Sequence, residues 1–253
     1  MTANFMKNIQ PDAAGVCRAA AEAIAALGSQ RAQTMRRFSI ALAGGSTPKE
    51  AYKLLAEPPL LQKMPWQATR VYFGDERHVK QDQPESNYRM AYDAMLKDVP
   101  INIDNVFPMS TDNEEPALCA EWHEDLLRMQ FQRRMDDFPA FDLILLGIGP
   151  DGHTASLFPG TPAAAERQRW VTWCDPNATN PDIKPPVKRI TITTPVIWHA
   201  ANVFVMVAGK EKAPVIQKIW ADAEPADPPV SRLLRQCRGD VTFFMDKAAA
   251  SSL

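Results

Sequence analysis

Residues 141–149 (FDLILLGIG) are the most apolar stretch of the chain and run directly into a glycine-rich polar loop. A short apolar run without polar alternation fits a strand buried on both faces, which requires a parallel sheet covered by helices. Runs of the same kind recur at 38–43 (FSIALA), 70–74 (RVYFG), 170–175, 189–193, 203–208 and 241–245. Helical patterns separate them. Val16, Ala20, Ala23, Ile24 and Leu27 have the spacing of an amphipathic helix, another helix passes through Tyr52 and Leu55, segment 88–96 follows a polar loop, and a long helix is predicted over 116–135. Strands alternating with helices predict an α/β fold with parallel pairing and helices on both faces.

No repeat, low-complexity segment or shift in composition divides the 253 residues, so one domain is expected over 1–253. The proline pairs Pro58-Pro59, Pro185-Pro186 and Pro228-Pro229 read as ordered surface loops. The 28 Lys+Arg against 30 Asp+Glu leave a net charge of -2. That charge supplies no long-range field to gather nucleic acid or an anionic membrane, so any bound anion must be gripped locally. Cys17, Cys119, Cys174 and Cys237 form no Cys-x-x-Cys pair and are expected to be reduced, mostly buried thiols. The N-terminal pattern is helical rather than that of a signal peptide, and no run reaches membrane-span length. A soluble cytoplasmic protein is expected.

In parallel sheets ligands gather beyond the C-terminal ends of the strands, and three such ends carry unusual loops. Gly44-Gly45-Ser46-Thr47-Pro48 allows close backbone approach, with Ser46 or Thr47 capping the next helix and free N–H groups that favour a phosphate. Asp75-Glu76-Arg77-His78 can grip an anion through Arg77, with the acids orienting it. His78 itself reads as a loop residue.

The third loop, Gly147-Ile148-Gly149-Pro150-Asp151-Gly152-His153-Thr154, matches the dinucleotide-binding glycine spacing, with Asp175 near the expected distance. That fingerprint requires a long helix after the third glycine, and Pro159, Gly160 and Pro162 interrupt it, which argues against nicotinamide binding. Asp151 two residues before His153 suggests a carboxylate orienting an imidazole for proton transfer. Arg189 opens one strand, and Lys212 follows another at a helix start, where it can neutralise a phosphate; Lys210 reads as solvated. His123 and His199, beside Trp122 and Trp198, read as packing or surface residues. No metal-ligand spacing and no Gly-x-Ser-x-Gly elbow occurs, so neither a metal nor a serine nucleophile is expected.

Taken together, 44–48 (GGSTP), 75–77 (DER), 86–89 (SNYR) and 147–159 (GIGPDGHTASLFP) resemble the 6-phosphogluconolactonase family, and 189–191 (RIT) and 209–213 (GKEKA) match it in order. The resemblance runs from about Ser39 to the last strand; the loop 177–186 adds nothing diagnostic. It implies a three-layer α/β/α fold with a mostly parallel, Rossmann-like sheet, shared with glucosamine-6-phosphate deaminase and ribose-5-phosphate isomerase. It further implies hydrolysis of 6-phospho-D-glucono-1,5-lactone, a small-molecule phosphosugar lactone, with no cofactor. His153 is then the general base held by Asp151, with Arg77, Asp75 beside it, and backbone N–H groups near Gly44 and Gly45 serving the oxyanion. Ser46, Thr47, Arg189 and Lys212 anchor the phosphate. A monomer or a weak homo-oligomer is expected.

Two other readings remain open from sequence: an isomerase or deaminase on the same fold, and a non-catalytic sugar-phosphate sensor. The deaminases place a glutamate where this chain has Phe158.

Overall fold

The computed structural model describes residues 5–34, 36–132, 137–221 and 229–253. In chain order the strands are β1 (Phe5–Gln10), β2 (Phe38–Leu42), β3 (Thr69–Phe73), β4 (Asp75–Arg77), β5 (Leu143–Leu146), β6 (Val171–Cys174), β7 (Arg189–Ile192), β8 (Asn202–Val207) and β9 (Asp240–Asp246). The helices are α1 (Ala13–Gln33), α2 (Ser46–Leu55), α3 (Leu60–Lys63), α4 (Asn87–Ala91), α5 (Pro116–Phe131), α6 (Pro162–Ala165), α7 (Thr194–Trp198), α8 (Ala213–Trp220) and α9 (Pro229–Arg235).

Six strands form one parallel sheet in the order β1-β9-β8-β5-β2-β3, with helices on either side. The expected layered α/β architecture is therefore present. Its central strands, β2 and β5, are buried at every position, which is why their sequence reads as unbroken apolar residues. From β2 the chain moves outward to β3, whereas β5 is flanked on its other side by β8. The order reverses between β2 and β5, and this leaves a crevice at their C-terminal ends.

The N-terminal helix is longer than its predicted stretch. Asp12 caps it by accepting from the Gly15 N–H at 2.8 Å, and Val16, Cys17, Ala20, Ala21 and Ile24 are buried along one face. The long helix predicted over 116–135 closes at Phe131, where Gln132 turns left-handed; 133–136 lie outside the described residues. Pro228 also lies outside them.

Three features differ from the sequence reading. First, β1 pairs with β9 at the sheet edge, although FMKNIQ carries too little apolar alternation to announce a strand. Second, 170–175 and 189–193 do form strands, but not in the main sheet: β6 and β7 pair antiparallel with β4 in a small sheet of order β4-β7-β6. Third, Asp75-Glu76-Arg77 is a strand rather than a loop. The hinge is Gly74, whose N–H donates to the Leu42 carbonyl at 2.8 Å while its own carbonyl accepts from the Ile192 N–H at 2.9 Å. One residue thus joins both sheets and delivers the DER strand across the crevice.

Candidate functional site

A cavity of about 480 Å³ fills this crevice. Gly44, Gly45, Ser46, Thr47, Asp75, Arg77, His153, Arg189 and Lys212 all line it, and Asp151 stands behind His153. The sequence-predicted residues, scattered over more than a hundred positions, meet at one place.

The wall nearest β2 is the start of α2. Gly45, at φ 108°, turns the chain into the helix, so Ser46 and Thr47 are already helical residues and no side chain caps the terminus. The expected hydroxyl cap is therefore absent: the left-handed glycine makes the turn, and the two hydroxyl residues line the cavity. Two residues outside the predicted set fix this wall. The Tyr52 hydroxyl donates to the Ala43 carbonyl at 2.8 Å and accepts from the Ala43 N–H at 2.9 Å. Asn87 lies so close to Gly44 that a Cβ there would stand 2.1 Å from Asn87 Oδ1.

His153 Nδ1 lies 2.5 Å from Asp151 Oδ1, and the same oxygen accepts from the His153 N–H at 3.2 Å. Burial pushes the Asp151 carboxyl up, but the hydrogen bond and charge of His153 outweigh it and hold the carboxyl below its ordinary value. With Nδ1 engaged, Nε2 is the ring nitrogen left to serve a ligand in the cavity. Phe158, 4% exposed, packs on the imidazole with ring centroids 4.3 Å apart.

Arg77 and Arg189 are cross-strand partners in the β4–β7 register, so their side chains leave the same face of the small sheet. Arg77 Nη1 donates to the Glu85 carbonyl at 2.6 Å, and Arg189 Nη2 to the Pro185 carbonyl at 3.0 Å. Burial, then the charge of Arg77, lowers the Arg189 pKa, and Asp75 opposes them. Asp75 is itself buried: Oδ2 accepts from Ser156 Oγ at 2.6 Å and Oδ1 from Asn87 Nδ2 at 3.1 Å. Two crowded guanidiniums beside one carboxylate form a place that favours an anion.

Glu76 faces away from the cavity and is structural. It is 1% exposed, and its carboxylate accepts from the N–H groups of Arg77, Asn87 and Tyr88 at 2.6–2.8 Å and from Ser86 Oγ at 3.0 Å. The SNYR segment is thereby seated on the DER strand. Burial raises the Glu76 carboxyl, against the pull of those bonds.

His78, His123 and His199 stand outside the cavity. His78 bonds the Asn113 carbonyl through Nε2, and His199 bonds the Pro195 carbonyl through Nδ1. Asp182, Ile183 and Lys184 line the cavity although their loop reads as undiagnostic from sequence. Nothing local marks such residues, because only the pairing of β6 with β7 swings their loop over the crevice. Among the described residues no group of three or more His, Cys, Asp or Glu could hold a metal ion.

Comparison with known proteins identifies the family and the fold. The family model "Glucosamine-6-phosphate isomerases/6-phosphogluconolactonase" matches residues 11–243. A 6-phosphogluconolactonase of Synechocystis is 42% identical over 216 residues, covering 85% of this chain and 84% of that protein. The solved 6-phosphogluconolactonase of Trypanosoma cruzi superposes with a TM-score of 0.90 at 37% identity, covering 100% of this chain and 98% of the other. A monomeric glucosamine-6-phosphate deaminase superposes at 0.80 over 99% of this chain and 100% of its own, but at 21% identity, a likeness of fold alone. The chain belongs to the glucosamine-6-phosphate isomerase/6-phosphogluconolactonase family.

Proposed function

We propose that this protein is a 6-phosphogluconolactonase, hydrolysing 6-phospho-D-glucono-1,5-lactone to 6-phospho-D-gluconate in the second step of the oxidative pentose phosphate pathway. The observation that carries the reading is the His153–Asp151 pair, held at 2.5 Å, facing a cavity lined by Arg189, Lys212 and the start of α2. The 6-phosphogluconolactonases similar to this chain support the same substrate class.

The chemistry follows from the groups in place. Water approaches C1 of the lactone, and His153 Nε2 takes its proton as the oxygen–carbon bond forms. Negative charge moves to the carbonyl oxygen, where Arg77 and the backbone N–H groups near Gly44 and Gly45 stabilise it. The tetrahedral centre collapses, the bond from C1 to the ring oxygen breaks, and the proton on His153 passes to that oxygen as it leaves as a hydroxyl. Asp151 keeps the imidazole in the tautomer that presents Nε2, and steadies its charge while it holds the proton. Asp75, held by Ser156 and Asn87, acts through its negative charge near Arg189.

Ser46, Thr47, Arg189 and Lys212 grip the phosphate, and this remote grip places C1 before His153. We further propose a monomer or weak homo-oligomer in the cytoplasm, the compartment being supported by four free buried cysteines.

The deaminase reading fares worse on a specific observation. Where a deaminase places a glutamate, Phe158 lies buried against the His153 ring. An aromatic ring carries no proton, whereas opening an amino sugar and moving protons between C1 and C2 needs more than one acid–base group. The test is a pair of assays on the wild-type protein. Proton release from freshly generated lactone is expected well above the spontaneous rate, with no ammonia from glucosamine 6-phosphate; ammonia at a competent rate would overturn the assignment.

A further inference from the structure

The loop between β6 and β7 runs over the mouth of the cavity and lines it with Asp182, Ile183 and Lys184. It is a built element. Asp175 starts it by accepting from the Asn177 N–H at 3.1 Å. Asn177 Nδ2 then stands 3.1–3.4 Å from the carbonyls of Asn180, Pro181 and Ile183 and folds the loop back on itself. At its far end the Pro185 carbonyl accepts from Arg189 Nη2. The loop therefore hangs on an arginine that also lines the cavity, and Lys184 is the residue next to that attachment.

We propose that Lys184 is a further substrate-binding residue, whose ammonium closes the cationic end of the cavity on the phosphate from a loop held in place by Asn177 and Arg189. The ligand's identity rests on the lactonase reading above. Among the described residues Lys184 forms no ion pair, and Asp182, two positions earlier, does not neutralise it. Arg189 and Lys212 line the same cavity as Lys184, and gathering these cations adds repulsion that a multiply charged anion relieves. A dianionic phosphate does so; an uncharged sugar does not. Lys184 is exposed at the mouth of the cavity, where its ammonium is free to meet an incoming anion.

The experiment is calorimetric titration of wild type, K184A, K184R, N177A and N177A/K184A with 6-phosphogluconate and with inorganic phosphate, beside steady-state kinetics on the lactone. K184A is expected to weaken both ligands about tenfold and to raise KM by a like factor, with a smaller fall in kcat because the grip on the phosphate also places C1. K184R keeps the charge and is expected to restore affinity to within about twofold of wild type. N177A is expected to weaken binding through the same lysine, so that N177A/K184A binds no worse than K184A. If K184A binds both ligands as wild type does while the wild type turns over lactone, this inference fails and the lactonase reading stands. If K184A loses affinity but wild type does not hydrolyse the lactone, the lactonase reading fails and the anion site stands. Additive losses in N177A/K184A would overturn the role given to the clamp.

Discussion

Gly149 has the least freedom of any residue around the proposed base. A Cβ there would lie 2.2 Å from both Cε1 and Nδ1 of His153 and 2.6 Å from Asp151 Oδ1. Gly149→Ala must therefore push the imidazole out of register with its carboxylate. A displacement of about 1 Å in a reacting group can cost about 10²-fold in rate. Steady-state kinetics on Gly149→Ala are expected to show a fall of that order in kcat, with 6-phosphogluconate affinity largely kept. Arg189→Ala and Lys212→Ala should mainly weaken affinity, with some fall in kcat, since each removes a charge from the proposed phosphate end; titration with 6-phosphogluconate should show a loss of about 1.5–3 kcal/mol for the buried Arg189. Lys212 is half-buried, and its loss is expected to be smaller.

Gly149 and Lys212 could be read from sequence because each follows a buried strand, where the fold alone aims the chain at the crevice, whereas Arg189 was marked as the cation that opens β7. Tyr52, Asn87 and Lys184 could not. Their places depend on a helix turn, a neighbouring strand and a long excursion meeting at the same cavity, and no local pattern encodes that meeting.

At the scale of elements, the DER segment shows how a polar run becomes a strand. Asp75-Glu76-Arg77 has no apolar alternation, and from sequence it reads as a loop; it is held as a strand by pairing with β7 and by the four bonds its glutamate accepts. Glu76→Ala would leave three buried or part-buried N–H groups and a buried hydroxyl without their acceptor. The expected cost is on the order of 3 kcal/mol, read as a lower denaturant midpoint. The helix α5 carries a different liability. His123 is 2% exposed, neither ring nitrogen has a partner among the described residues, and burial pushes its pKa down from the ordinary 6.5 to about 4. The unfolded chain then binds the proton more readily than the folded one, so stability is full above about pH 6.5 and is lost as pH falls toward 4. The contribution is on the order of 3 kcal/mol. His123→Leu is expected to flatten that part of the stability profile relative to wild type; an unchanged slope between the two proteins would contradict it. The helical pattern around Trp122 left His123 as a packing or surface residue, and the structure buries it.

Across the whole molecule, one cluster of buried apolar residues runs from Val16 to Ala249 and includes both faces of the main sheet. The first strand pairs with the last along six register positions. We propose on these grounds that residues 1–253 fold as one unit, and a single unfolding transition, coincident by fluorescence and circular dichroism, is expected. The layered architecture was legible because its central strands are apolar throughout; the small antiparallel sheet was not, because β6 and β7 look the same in sequence whichever sheet they join. That sheet is what brings Arg77 beside Arg189 on one wall of the cavity.

The central claim is that this site grips a phosphate at one end and moves a proton through His153 at the other. The measurement that tests it most directly is a comparison of wild type and His153→Ala, with kcat followed by proton release from freshly generated 6-phosphogluconolactone and 6-phosphogluconate affinity followed by titration. The account predicts a fall in kcat of about 10²–10⁴-fold with product affinity essentially retained. Near-normal turnover in His153→Ala would contradict it.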